Sequence, residues 1–208
     1  MKATVITISC IMSLFMYSSC TKEPLNNLTD DEARIYITNH NDSVSFNSYT
    51  TFSVADSVAI ISNNQLVKKS VTALDTAYIN AVKAQMLARG YTEVARDGHP
   101  DLGISISQVY NTYTGVFNYY DYWGYYSGYW DPYYWGYPGY GYYFPSYGVY
   151  QITDGAVSID MIDLKNTAGK ELKAVWNGLV RGAGTFNTSK AAGSVQALFA
   201  QSTYLTKN

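Results

Sequence analysis

Cysteine is nearly missing from this 208-residue chain: Cys10 and Cys20 are the only two, and both lie in the first 20 residues. No disulfide framework and no cysteine metal cage can form in the remainder. Histidine is as scarce, with only His40, between Asn39 and Asn41, and His99, between Gly98 and Pro100; each is expected in an exposed loop. Charge is thin at 14% of residues, and 14 cations against 16 anions leave a formal net charge of −2. A phosphate backbone demands a cationic surplus, so nucleic acid is a poor partner. The chain carries no His-Glu-x-x-His, Gly-x-Ser-x-Gly, Cys-x-x-Cys or phosphate-cradling glycine loop. No catalytic residue, metal ligand or cofactor site is assigned, and a hydrolase with an unrecognised site is the least favoured function. Asp160 and Asp163 read as solvated acids at a strand edge, because a hard-cation site needs about six converging oxygens.

The N-terminus has a clear pattern. Met1-Lys2 is followed by an apolar run from Val5 to Met16, diluted by Thr7, Ser9 and Ser13 and ended by Ser18-Ser19-Cys20. A spanning helix needs about 18 or more apolar residues, so the run reads as the h-region of an export signal. Tyr17-Ser18-Ser19-Cys20 resembles the bacterial lipobox, in which the cysteine receives diacylglycerol and palmitate-type acyl chains. An ordinary secretory cut near Ser19, leaving Cys20 a free thiol, is the alternative. Residues 21 to 33 are polar and aperiodic and form a tether. The expected organisation is a signal peptide over 1–19, a lipidated tether over 20–33 and one domain over 34–208. Glu23 is the sole acid within five residues of Cys20, which favours the periplasmic face of the outer membrane over the cell surface.

Within the domain, Ile35 to Ile37 and the stretch from Phe46 through Val54 read as edge or opening strands. Ile79, Val82, Met86 and Leu87 fall at helical spacing, which predicts a helix from Asp75 to Arg89 with Asp75 as cap and Gly90 just beyond. Leu102, Ile104 and Ile106 alternate with Gly103, Ser105 and Ser107, the pattern of a strand with one buried face. Val157, Ile159 and Met161 repeat it, and a turn at 166–169 leads to another strand from Glu171 to Val180. Ser189 is placed to cap a last helix through Phe199. The order implies an α+β domain, a mostly antiparallel sheet with two helices on one face. Should the strands near Phe52 and Ile104 be neighbours, the first helix is the crossover between them.

Aromatics are abundant in one place. The 41 residues from Tyr110 to Tyr150 hold 16 Tyr, 3 Trp and 2 Phe, with 7 Gly, 3 Pro and only Asp121 and Asp131 charged. This low-complexity insert exceeds the roughly 12 to 15 residues of an ordinary loop. Four readings stand side by side: a sugar or peptide platform, a membrane-interface element, a protein contact, and a loop with no ligand. The platform reading names Tyr125, Trp130 and Trp135 as contacts. The segment from Tyr119 to Tyr147 is expected to lie outside the core.

Several pieces, taken in order, resemble the domain-of-unknown-function 4136 family of bacterial lipoproteins. They are Phe46 to Phe52, Met86 to Tyr91, Pro100-Asp101-Leu102, Gly155 to Asp160, Val175-Trp176-Asn177-Gly178 and Val195 to Phe199. The resemblance implies a shared fold and an envelope location, and supplies no catalytic or ligand residues. Physically, Gly90 lets the chain leave a helix and Trp176 suits packing beneath one. The expected function is a lipid-anchored envelope protein with a non-enzymatic structural or binding role, its partners the membrane and an envelope protein or glycan. The alternative is a carbohydrate- or peptide-binding module using the insert.

Overall fold

The computed structural model describes residues 29, 32–62, 65–110, 117–118, 132–143, 149–150 and 155–207. Strands β1 (Ile35–His40), β2 (Thr51–Val54), β3 (Val58–Ser62) and β4 (Gln65–Ser70) precede helix α1 (Ala73–Ala88). Then come β5 (Thr92–Glu93), β6 (Leu102–Tyr110), β7 (Phe117–Asn118), β8 (Gly141–Tyr143) and β9 (Val149–Tyr150). The long hairpin of β10 (Ala156–Asp163) and β11 (Glu171–Arg181) leads to α2 (Ala191–Gln201). Among the described residues nine strands form one sheet along the path β1-β11-β10-β6-β2-β5, with β3 and β4 beyond β6 and β8 on β11. β7 pairs separately with β9.

The fold class is α+β, as the element order implies, and the sheet is mostly antiparallel. β11 pairs antiparallel with β1 and β10, and β10 with β6. β2 and β3, broken at Ala55–Ser57, run end to end along β6 and both pair with it in parallel. The strands near Phe52 and Ile104 are thus neighbours, and a parallel pair needs a crossover of a dozen or more residues. The β4 arm and α1 supply it. β3 and β4 went unanticipated, and Phe46–Ser48 is a 3-10 turn whose Phe46 and the following Tyr49 are core residues.

Both helices lie on one face of the sheet. Tyr78, Ile79, Val82 and Met86 of α1 and Val195, Leu198 and Phe199 of α2 share one buried cluster with Leu102, Ile104, Ile106, Val157, Ile159 and Met161. Trp176 is buried beneath α2, its ring 5.4 Å from that of Phe199 and its Nε1 donating to Ser202 Oγ at 2.9 Å. The ring occupies the place a side chain at Gly178 would take.

The caps differ from expectation by one device each. Thr72 is the N-cap of α1 and Asp75 its N3 partner: Thr72 Oγ1 accepts from Asp75 N at 3.3 Å, and Asp75 Oδ2 accepts from Thr72 N at 2.6 Å. This reciprocal capping box satisfies two backbone donors that one cap residue leaves open. At α2, Asn187 Oδ1 accepts from Ser189 N, so Ser189 sits inside a turn and Lys190 precedes the helix without a side-chain cap. Gly90 leaves α1 at φ +88°, as its position required.

The other sheet face is the main departure from the sequence reading. β6 and β10 are buried along both faces, where alternation with serine implied one. Gly103 and Ile162 meet Trp135, Leu164, Leu172 and Ala174 in a second apolar cluster, with Tyr134, Tyr137 and Tyr140 packed against it. Trp135 of the aromatic insert is therefore part of the core, with Tyr134, Tyr137 and Tyr140 against it, contrary to the expectation that Tyr119 to Tyr147 lies outside it. The reason is Gly103: its missing side chain leaves a slot in which Trp135 Cδ2 lies 3.1 Å from the position of a Cβ.

Two buried phenols make the fold alkali-sensitive. Tyr78 Oη donates to Thr185 O at 2.7 Å and Tyr91 Oη to Phe46 O at 3.0 Å. Burial pushes both up from 10.0 to about 12. The neutral phenols favour the folded chain, so their contribution is full below pH 10 and is lost as pH rises towards 12, where unfolded tyrosines have already ionised. Urea midpoints are expected to fall between pH 9 and pH 11.5, and less steeply in Tyr78→Phe. The glycine at 193 is a second handle. A Cβ there meets nothing within 4 Å and the residue lies inside α2, so Gly193→Ala is expected to raise stability by about 1 kcal/mol in denaturant titration.

Candidate functional site

Pro132 and Gly136 bracket a tight turn. Tyr137 N donates to Pro132 O at 2.7 Å and Gly136 N to Tyr133 O at 3.1 Å, and Gly136 takes φ +85°, a conformation that suits glycine. This arrangement turns Trp135 inward to 5% exposure and leaves Tyr133 outward at 73%. Tyr134 stands edge-on to Trp135, centroids 5.0 Å apart at 89°, and Tyr137 packs against Tyr140 at 5.2 Å. Hydroxyls pin the segment: Tyr137 Oη donates to Leu164 O at 2.7 Å, and Tyr134 Oη accepts from Asp56 N at 3.2 Å while donating to Asp56 Oδ1 at 3.3 Å. Burial pushes the pKa of both phenols above the usual tyrosine range, and both are neutral donors at neutral pH.

Facing this segment is the turn Arg96–Gly98 that follows β5. It ends at His99, held at φ 52° just before the buried Pro100. A left-handed conformation in a non-glycine residue costs about 1 to 2 kcal/mol, and such costs collect at functional sites. Between turn and segment opens a cleft of about 540 Å³, with Arg96, Asp97 and His99 on one wall and Tyr133 to Pro138 on the other. The Arg96 guanidinium carbon lies 4.5 Å from the Tyr134 ring centroid and Lys69 Nζ 5.1 Å from it. Each contact contributes about 0.5 to 1 kcal/mol at an exposed site. The cleft thus has an aromatic floor pinned by hydroxyl bonds and exposed charged groups at its rim.

Residues 37–202 match the family described as Domain of unknown function (DUF4136). The chain belongs to the DUF4136 family. The crystal structure of a DUF4136 family protein from Bacteroides thetaiotaomicron VPI-5482 is similar at 30% identity and a TM-score of 0.72, covering 86% of this chain and 100% of that one. The PelC dodecamer from Paraburkholderia phytofirmans is more distantly similar, at 10% identity and a TM-score of 0.41, covering 84% of this chain and 99% of that one. No curated protein matches.

Of the contact residues named from the sequence, Cys20, Tyr125 and Trp130 lie outside the described residues. Trp135 forms the floor of the cleft, and its buried ring serves the DUF4136 core rather than presenting a free face. Asp160 and Asp163 are corrected as well, since both are buried where solvated acids were expected. Asp160 accepts from Ser158 Oγ at 2.9 Å and from Asn177 Nδ2 at 2.6 Å, because the β10–β11 register sets Asn177 opposite it. Asp163 accepts from Tyr49 Oη at 2.8 Å and from the backbone of Lys165 and Asn166, which closes the β10–β11 turn. Among the described residues no three His, Cys, Asp or Glu side chains converge on a metal position. His99 is exposed, as expected; His40 is half-buried at the end of β1, stacked 3.8 Å from Tyr204 and paired with Asp42 at 3.0 Å.

Sequence reasoning missed Tyr133, Tyr134, Tyr137 and Arg96. The Pro132 to Gly136 and Pro138-Gly139 spacing was the available signal for the first three, since such pairs frame turns. Arg96 had none. Trp135→Ala is expected to lower folding stability by about 3 to 5 kcal/mol in urea titration, whereas Tyr133→Ala, on an exposed ring, is expected to stay within about 0.5 kcal/mol.

Proposed function

We propose that this DUF4136 protein is moored to the outer membrane by lipid on Cys20 and acts there by non-covalent binding, taking carbohydrate in the cleft between residues 96–99 and 133–138. The observation that carries the reading is the pinned aromatic floor beside charged donors in an open volume of about 540 Å³. Concave sites of that size, mostly apolar with a few placed polar groups, are the usual form of small-ligand sites. Tyrosine offers a flat face and a polar edge at little cost in side-chain entropy. Carbohydrate is preferred to peptide because both walls are turns: an extended peptide needs a free strand edge and a helical one a long apolar groove. No enzymatic step is assigned to the cleft.

The mooring rests on Ser18-Ser19-Cys20 at the end of the apolar run and on the polar tether that follows. Among the described residues no helix is long and apolar enough to cross a membrane. One acyl chain holds a protein weakly and reversibly, and stable anchoring takes two or more. The periplasmic face is favoured by the lack of an acidic cluster after Cys20.

Cell fractionation and intact-mass measurement test the anchor together. The wild-type chain is expected in the outer-membrane fraction with an acyl mass increment, and Cys20→Ala in the soluble fraction without one. A wild-type chain that is soluble and unacylated refutes the mooring. Tryptophan fluorescence of the purified full chain is expected to shift on titration with glycan fragments, and Tyr133→Ala to weaken the shift about tenfold.

A further inference from the structure

Charge at the cleft is organised around one ring. Arg96 and Lys69 come from different elements, the turn after β5 and the exposed strand β4, yet both converge on Tyr134 at 4.5 and 5.1 Å. Neither makes an ion pair among the described residues, although Lys83 and Lys165 both do. Arg96 lines the cleft itself, whereas Lys69 lines a smaller hollow beside it with Ala55, Ser57 and Ser105. Arg96 is suited to holding a ligand, because its guanidinium stacks flat on an aromatic face and still offers a forked edge to a carboxylate. His99, at its strained position, lines the same wall. The opposing charges are Asp56 and Asp97. Asp56 Oδ1 accepts from Tyr134 Oη and from Ser57 Oγ, and Asp97 makes no ion pair with either cation among the described residues.

Resting on the carbohydrate reading above, we infer that the cleft selects acidic sugars: a uronic acid unit lies against the wall of residues 133–138 with its carboxylate on Arg96. Charge-assisted bonds from arginine to carboxylate are roughly twice as strong as neutral ones, and at the open rim they are screened by salt. Asp97 acts against the same ligand.

The test is isothermal titration calorimetry of the full chain in detergent micelles with three probes: tri-galacturonate, maltotriose and tri-glucosamine. Tri-galacturonate is expected to bind about tenfold tighter than maltotriose at 50 mM salt, with the advantage lost at 500 mM. Arg96→Gln should reduce that preference, Arg96→Lys should retain part of it, Asp97→Asn should increase it, and Lys69→Gln, outside the cleft lining, should leave it in place. Equal binding of maltotriose, or a preference for tri-glucosamine that Asp97→Asn removes, overturns acid selection and leaves carbohydrate binding standing. No binding of any probe overturns both.

Discussion

A missing side chain at Gly103 and the indole that fills its place tie the two halves of this structure together. The middle strands β6 and β10 are buried on both faces, so a second layer is needed opposite the helices. Trp135 provides the largest described piece of it, against Gly103, Leu164 and Leu172. Burying a ring of that size yields on the order of 5 kcal/mol of transfer free energy before its ordering cost. That is comparable to a large share of the whole stability of a domain. Trp135 is thereby a structural residue first, while Tyr133 beside it faces solvent.

This division of labour explains the character of the cleft. Its floor cannot yield without disturbing the core, because Tyr134 and Tyr137 are fixed by hydroxyl bonds to Asp56 and Leu164. Its rim can, because Arg96, Asp97 and His99 are all exposed. A ligand placed in such a cleft would require little ordering of the floor. The strained backbone of His99 is held on the other side by the buried Pro100 and by Asp101, whose carboxylate accepts from Thr50 N at 2.6 Å.

Buried polar groups give the sheet its register. A carboxylate fully out of water, as Asp160 is, persists only with donors aimed at it, and Asn177 and Ser158 provide them across and along the strand. A one-residue slip of β10 against β11 would send Ser158 and Asp160 to the helix face and leave Asn177 of β11 among apolar residues. The hydrogen bonds therefore specify which pairing is native, beyond what each contributes in energy.

Local pattern was enough for much of the fold. Helical spacing at Ile79, Val82 and Met86, alternation along β6 and β10, the 166–169 turn and the glycine after α1 are all short-range consequences of backbone geometry, and the sequence determined them alone. Cross-strand partners are not short-range. That Thr72 rather than Asp75 caps α1 depended on a single residue's backbone angle, and that Asp160 is buried depended on Asn177, 17 positions away. The serines of β6 read as solvent-facing because nothing local announces that a distant tryptophan will lie over Gly103. The cleft was decided wholly at the tertiary level: Lys69, Arg96 and Tyr134 become neighbours only when β4, the turn after β5 and the aromatic segment meet over one sheet face, and no spacing in the chain encodes that meeting.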